Sequence, residues 1–83
     1  MQRLEAKDKF TVVKDDIEYE FEVAEEGGYI VSVPELPGCV SEGDDFEGAW
    51  RMIQDAMAGW LLVARKQGDP IAPKFRKLAE SIS

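Results

Sequence analysis

The spacing of the apolar residues changes once along this chain, close to Asp45. Before that point the clearest stretch runs from Ile17 to Val23, where apolar residues alternate strictly with glutamates. After it, apolar residues recur at steps of three and four as far as Ala64. A period of two places alternate side chains on opposite faces of a strand, whereas a period near 3.6 lines one face of a helix. The chain therefore has to combine strands in its first half with one long amphipathic helix in its second half.

Three segments of the first half are predicted to form an antiparallel meander. They are residues 10–13, 17–23 and 29–33, each rich in β-branched or aromatic residues. Residues 14–16 have the polar composition of a hairpin loop, and Gly27 and Gly28 tolerate the positive φ angles of a second turn. Pro34 stops the third strand, because proline cannot donate to a sheet ladder.

The predicted helix spans about residues 45–66, and both of its ends are marked. Asp44 or Asp45 can cap the N-terminus, and Glu47 lies at capping-box spacing from Asp44. Gly68 suits the left-handed conformation that ends many helices. Beyond it, residues 71–75 are predicted to be extended, and residues 76–83 to form at most a short turn of helix.

Laying the helix across one face of the sheet buries both apolar faces at once. The helix side of this predicted core consists of Trp50, Ile53, Met57, Trp60 and Leu61. Its sheet side consists of Tyr19, Phe21, Val31 and Val33. The predicted fold class is thus α/β of the α+β, two-layer type, a three-stranded antiparallel meander packed by one long helix and followed by a short C-terminal tail.

Charge is distributed unevenly over the 83 residues, whose formal net charge is −7. Residues 1–64 hold 5 Lys/Arg and 15 Asp/Glu, whereas residues 65–83 hold 5 and 2. An acidic body opposes binding to a polyanion and favours basic partner surfaces, although solubility alone also explains it. The basic tail is too short after Pro73 for a helix-turn-helix, so we expect no direct nucleic-acid binding by this chain alone.

The size of the chain allows one domain, and its single cysteine allows no internal disulfide. Small domains of this kind are marginally stable alone, so we expect a homo-oligomer. The lone cysteine suits a reducing compartment, and no apolar run reaches the length of a signal peptide or membrane span. These features predict a cytoplasmic protein that does not contact membranes.

The residue types give little support for catalysis. The chain has no histidine, which removes the commonest general base and transition-metal ligand. Cys39 has neither a base nor a cation among its flanking residues, so it is interpreted as a small buried hydrophobe rather than a nucleophile. Glu18, Glu20 and Glu22 form a period-two row on one strand face, which is more typical of a solvated or protein-binding surface than of a metal site. We therefore expect no enzyme activity, no cofactor and no metal.

The most specific stretch of the sequence runs from Pro34 to Asp44, between a tyrosine-bearing strand and the predicted helix. Pro37 and Gly38 suit a tight turn, and Gly43 and Asp44 lead into the helix cap. The ordered positions of this motif are Tyr29, Pro34, Leu36, Pro37, Gly38, Cys39, Ser41, Gly43 and Asp44. With Gly68-Asp69-Pro70-Ile71 after the helix, residues 17–73 resemble the HicB-like antitoxin family.

We predict one HicB-like domain over residues 1–73 and a short basic tail over residues 74–83. The resemblance implies that the domain has a partial ribonuclease H-like fold without nuclease activity. It also implies binding and masking of a small basic ribonuclease toxin of the HicA type. Gly48 and Ala72 depart from the family pattern, and we expect no separate C-terminal DNA-binding domain. The alternative is an orphan oligomeric HicB-like domain with a scaffolding or sensing role and no toxin partner.

A flank of the predicted helix is a candidate interface. On a helical wheel it holds Gly48, Met52, Gly59 and Val63, beside the core stripe. Each glycine within a helix costs about 1 kcal/mol relative to alanine, which a close contact could offset. The flank is predicted to bind a second copy or a toxin, with Glu18, Glu20 and Glu22 contributing electrostatically. Alternatively, residues 67–75 of the same chain cover it.

Overall fold

The computed structural model describes the backbone of residues 7–81 and the side chains of residues 7–78, and in that range it is an α+β fold of two layers. Its elements are β1 (Lys9–Lys14), β2 (Ile17–Val23), β3 (Tyr29–Ser32), β4 (Val40–Gly43), α1 (Phe46–Gln67) and α2 (Pro73–Ser81). The strands form one antiparallel sheet in the order β1-β2-β3-β4, and α1 packs across one face of it.

The alternation in β2 decides which face of the sheet is buried. Ile17, Tyr19 and Phe21 are each at most 2% exposed and lie in the core. The Tyr19 hydroxyl donates to the Met57 sulfur at 3.9 Å, and burial raises the pKa of that hydroxyl. Val31 and Val33 are buried beside them, as predicted.

The helix α1 begins and ends where its local signals indicate. Asp45, the second of the two predicted caps, has an extended backbone and accepts a hydrogen bond from the Gly48 amide at 2.7 Å. Gly68 adopts the left-handed conformation, with φ of 74°, and closes the helix. Between these ends the buried stripe includes Ile53, Met57 and Leu61, which confirms this part of the predicted core.

The two tryptophans predicted for the core are only partly buried, so that prediction is wrong in degree. Trp50 packs beside Tyr19, with 4.6 Å between ring centroids, and the Lys14 ammonium lies 5.7 Å from the Trp50 ring. Trp60 donates from its indole nitrogen to the Pro37 carbonyl at 2.9 Å. Large rings at the margins of a helical stripe close the core while keeping one edge in solvent.

The sheet has four strands rather than the predicted three, because the motif segment supplies β4 at an edge. Val40 pairs with Ser32 and Gly43 pairs with Tyr29. The segment has no apolar alternation, so its extended form depends on pairing with β3. At Gly43 a Cβ atom would lie only 2.7 Å from the Ala49 Cα, so glycine is what lets α1 approach this strand.

The predicted extended segment and frayed tail are also wrong, since residues 73–81 form α2. Phe75 is 2% exposed and joins the core. Lys74 donates to the Asp16 carbonyl at 2.8 Å and pairs with the Glu35 carboxylate at 2.7 Å, an interaction that raises the pKa of the Lys74 ammonium. The α2 helix therefore joins the β1–β2 turn to the β3–β4 loop. The last two residues of the predicted tail lie outside the described range.

Candidate interaction surfaces

The face of the sheet that points away from α1 is acidic, and we call it the open face. By strand register its side chains are Lys9, Thr11, Val13, Glu18, Glu20, Glu22, Ile30, Ser32, Val40 and Glu42. Four of these are glutamates and one is a lysine. The Lys9 ammonium lies 3.8 Å from Glu22 and 3.9 Å from Glu20. Ion pairs this exposed contribute about 0–1 kcal/mol, and the face keeps a net negative charge.

The structure separates Gly48 from the other three residues of the predicted helix flank. Gly48 is half-buried, its amide is used by the Asp45 cap, and a Cβ atom there would lie only 2.9 Å from the capping Oδ1 of Asp45 and 4.0 Å from the Gly43 Cα. Met52 and Val63 are 48% and 54% exposed. Gly59 is also exposed, with no atom within 4 Å of where its Cβ would stand. Packing within the chain thus accounts for Gly48 and leaves the rest of the flank in solvent.

This exposed flank runs alongside β4, and we call the two together the β4–α1 border, defined by Val40, Met52, Gly59 and Val63. A groove of about 420 Å³ separates Val40 from Gly59 and Val63 at one end. At the other end Met52 lies beside Glu42 and Gly43. The large hydrophobic residues exposed in the described part of the chain are Val13, Val40, Phe46, Met52, Leu62 and Val63. Half of these exposed hydrophobic residues therefore lie on one border of the molecule.

The tail does not cover this border. Residues 71–75 pack instead around Leu36 and Trp60, and Phe75 is buried there. Only Gln67 and Asp69, at the end of α1, line the groove beside Val63. The alternative in which residues 67–75 bury the flank is therefore wrong for the side chains that the structure describes.

The predicted flank and the predicted glutamate row do not form one continuous surface. Glu18, Glu20 and Glu22 lie on the open face of β2, with β3 between them and β4. Met52, Gly59 and Val63 lie in the helix layer. Sequence reasoning missed Val40 and Glu42, which lie between the two groups, because the four-residue strand that carries them has no periodic signal.

The loop between β3 and β4 holds much of the sequence motif and is built around two buried side chains. Leu36 and Cys39 are 4% and 3% exposed. The Leu36 amide donates to the Val33 carbonyl and the Cys39 amide donates to the Leu36 carbonyl, each at 2.9 Å. Gly38 supplies a φ of 84° at the turn between them. Burial raises the pKa of the Cys39 thiol, which keeps it protonated and a poor nucleophile.

Of the remaining motif residues, Tyr29, Ser41 and Asp44 lie on β3, on β4 and just before α1, whereas Pro34 and Pro37 lie in the loop between β3 and β4. Tyr29 is half-buried in an aromatic cluster, with its ring centroid 6.3 Å from that of Phe46. Ser41 pairs with Val31 across the strands and is half-buried. Pro34, Pro37 and Asp44 are exposed.

Other kinds of site find no support in the part of the chain that the structure covers. Among residues 7–81, no group of three His, Cys, Asp or Glu side chains is arranged to hold a metal ion. None of the helices there is long and apolar enough to cross a membrane.

Comparison with known protein families identifies the chain. The model of the HicB-like antitoxin of bacterial toxin-antitoxin systems matches residues 17–83. The chain belongs to the HicB-like antitoxin family. No curated protein and no solved structure matches it. In this HicB-like chain the matched region begins at β2 and includes the motif loop, β4 and α1, while β1 precedes it. Membership suggests an antitoxin role in a toxin-antitoxin system and a non-enzymatic one.

Proposed function

We propose that this chain is an antitoxin-like binding module that neutralises a small basic HicA-type ribonuclease toxin by masking it in the cytoplasm. The observation that carries the proposal is the open face, where Glu18, Glu20, Glu22 and Glu42 surround one lysine on a sheet surface that no described helix covers. The partial ribonuclease H-like fold implied by the family resemblance is part of this proposal. It supplies a flat sheet for binding rather than a nuclease site.

The open face has the composition of a surface that recognises a cationic partner. Its glutamates lie on neighbouring strands, and Glu20 and Glu22 are half-buried rather than fully solvated. Ile30 lies between Glu22 and Glu42 in the strand register and adds apolar contact area. Charge complementarity of this kind speeds encounter and orients the partners, whereas apolar contact slows dissociation.

The side chains of this protein favour a role in binding over a role in catalysis. It has no histidine, and its single thiol is buried and protonated. A toxin active site that must bind RNA needs positive charge, and an acidic sheet can compete for that surface. Neutralisation then requires a stable complex and no reaction by the antitoxin.

The test is co-expression with the neighbouring gene, if it encodes a small basic protein, followed by affinity purification and an RNA-cleavage assay. We expect the two chains to purify together and cleavage to be suppressed. The double variant Glu20→Lys, Glu22→Lys should weaken the complex by about tenfold or more. Asp55→Lys is the matched control, because Asp55 is an exposed carboxylate on α1.

Two outcomes would contradict the proposal in different ways. Full binding by the double lysine variant would remove the open face as the contact while leaving the antitoxin role. Failure of the wild-type chain to bind or inhibit its neighbour would remove the toxin partner, and would favour the orphan oligomeric domain.

A further inference from the structure

We propose that α2 and the loop between β3 and β4 open and close as one unit, while the rest of the sheet and α1 stay folded. We call this the latch unit, defined as residues 34–38 together with α2. In its closed form, which the structure shows, the latch unit and Trp60 enclose an apolar groove. The proposal does not depend on the existence of a toxin.

The two parts of the latch unit are joined by one polar and one apolar contact. Lys74 of α2 reaches both carboxylate oxygens of Glu35, at 2.7 and 2.8 Å. The next residue, Phe75, lines a groove of about 390 Å³ together with Leu36 and Trp60. Leu36 and Phe75 are 4% and 2% exposed and belong to the same core cluster. Movement of either part out of its place therefore exposes an apolar side chain of the other.

The loop depends on α2 to stay closed. Outside the latch unit its tip is held by Trp60, whose indole nitrogen donates to the Pro37 carbonyl at 2.9 Å. That hydrogen bond is exposed, so water can replace it and its net contribution to stability is small. The Leu36 amide donates to the Val33 carbonyl, at the end of β3, and moves with the loop. Once α2 has left, little remains to keep Leu36 buried.

The α2 helix can detach without unfolding α1. It has nine residues, fewer than an isolated helix needs to be stable in water. Residues 68–72, all of which the structure describes, connect it to α1 and form neither helix nor strand. Lys74 also donates to the Asp16 carbonyl at 2.8 Å. The Lys74 and Glu35 side chains are 24% and 45% exposed, and ion pairs this exposed break at a small cost in free energy.

The rest of the molecule has a core of its own. Among the described side chains of the latch unit, the buried hydrophobic ones are Leu36 and Phe75. The sheet and α1 supply most of the core, including Phe21, Ile53 and Leu61, each 0% exposed. Segments with few buried apolar contacts open at a lower free energy than the core does. The latch unit therefore sets how often the apolar groove beside Trp60 becomes accessible.

The experiment is native-state hydrogen exchange, followed residue by residue by NMR on the full chain. The loop is monitored at the Leu36 and Cys39 amides and α2 at the Arg76 amide, all of which donate to backbone carbonyls. The Ile53 amide, inside α1, monitors the body of the fold. We expect the loop and α2 amides to share one opening constant, about tenfold or more above that of Ile53.

Glu35→Gln tests the coupling, because it alters the loop and is measured in α2. It should raise the opening constant at the Arg76 amide by about threefold or more, and by the same factor at the Leu36 amide. Lys74→Met should have the same effect from the α2 side. The matched control is Lys66→Met, at an exposed lysine near the end of α1, which should change these constants by less than about twofold.

Asp45→Ala separates opening of the latch unit from unfolding of the whole chain. The Asp45 cap of α1 is present in both the closed and the open form. Its loss should therefore raise the opening constant at the Ile53 amide by about fivefold. The constants at the Leu36 and Arg76 amides should stay at their wild-type values.

Different opening constants at the Leu36 and Arg76 amides of the wild type would overturn the proposal, because the loop and α2 would then open separately. A common constant equal to that of Ile53 would also overturn it, because the chain would then open only as a whole. So would a Glu35→Gln effect confined to Leu36, or an Asp45→Ala effect as large at Arg76 as at Ile53.

Discussion

Replacing Phe75 with alanine tests whether α2 belongs to the core. Phe75 is 2% exposed and packs in the region of Leu36, Trp60 and Ile71. Truncating the ring to a methyl group removes roughly 120 Å² of buried apolar surface, which at about 25 cal/mol/Å² is about 3 kcal/mol. A residual cavity adds to this, and measured Phe→Ala changes in cores are about 3–5 kcal/mol. The α2 helix can undock as a unit, so the loss of stability cannot exceed the free energy with which α2 docks. We therefore expect a value at the lower end of this range, about 3 kcal/mol.

Urea unfolding followed by tryptophan fluorescence measures this change directly, since Trp60 lies beside the site. Arg76→Ala is the control, because Arg76 is the exposed neighbour on the same helix and should change the free energy of unfolding by less than about 0.5 kcal/mol. A loss for Phe75→Ala no larger than that of Arg76→Ala would refute the reasoning. It would mean that α2 does not dock in solution.

One reactivity measurement and two substitutions have definite expected outcomes. Cys39 should react with iodoacetamide at mildly alkaline pH much more slowly in the folded chain than in urea, because burial raises the pKa of its thiol. Since the unfolded chain releases this proton at a lower pH than the folded chain does, the free energy of unfolding should fall as the pH rises above about 8.5. Asp45→Ala should cost about 1 kcal/mol in thermal or urea unfolding through loss of the helix cap, whereas an equal loss for Asp44→Ala would contradict the assignment of the cap. Gly43→Ala should prevent a stable fold, since its methyl group would collide with the α1 backbone; a native-like melting curve for this variant would show that the close approach is wrong.

The elements with a strong period were predictable from the sequence. The strict alternation of β2 identified its buried face, and the three-and-four spacing of α1 identified Ile53, Met57 and Leu61 as core. Local chemistry marked the ends of α1, although it could not choose between Asp44 and Asp45. Periodicity also placed Trp50 in the apolar stripe, but it could not show that the ring lies at the margin of the core.

The elements without a period were missed because tertiary contacts form them. β4 is extended because it pairs with β3, and its four residues have no pattern of their own. α2 has nine residues, fewer than an isolated helix needs, and it depends on the docking of Phe75 and the Lys74 contacts. The spacing of Phe75 and Leu78, with proline at the first helical position, was the signal that could have found it.

The candidate surfaces were predictable only in part for the same reason. A helical wheel correctly grouped Met52, Gly59 and Val63 on one exposed flank. It could not show that Gly48 faces Gly43, because that contact requires β4 to be known. Only the strand order could show that β3 lies between the glutamates of β2 and the β4 strand beside this flank.

The strand order also has a consequence for the kinetics of folding. Every strand of the described sheet pairs with its neighbour in sequence, and the short connections over residues 15–16, 24–28 and 33–39 bring these partners together with little loop-closure entropy. Such a meander can grow one hairpin at a time, and the following helix then covers it. Among α+β domains this low contact order predicts rapid folding, faster than in sheets whose neighbouring strands are distant in sequence. The long-range contacts of Phe75 and Lys74 should form after the rate-limiting step, so their removal should mainly accelerate unfolding.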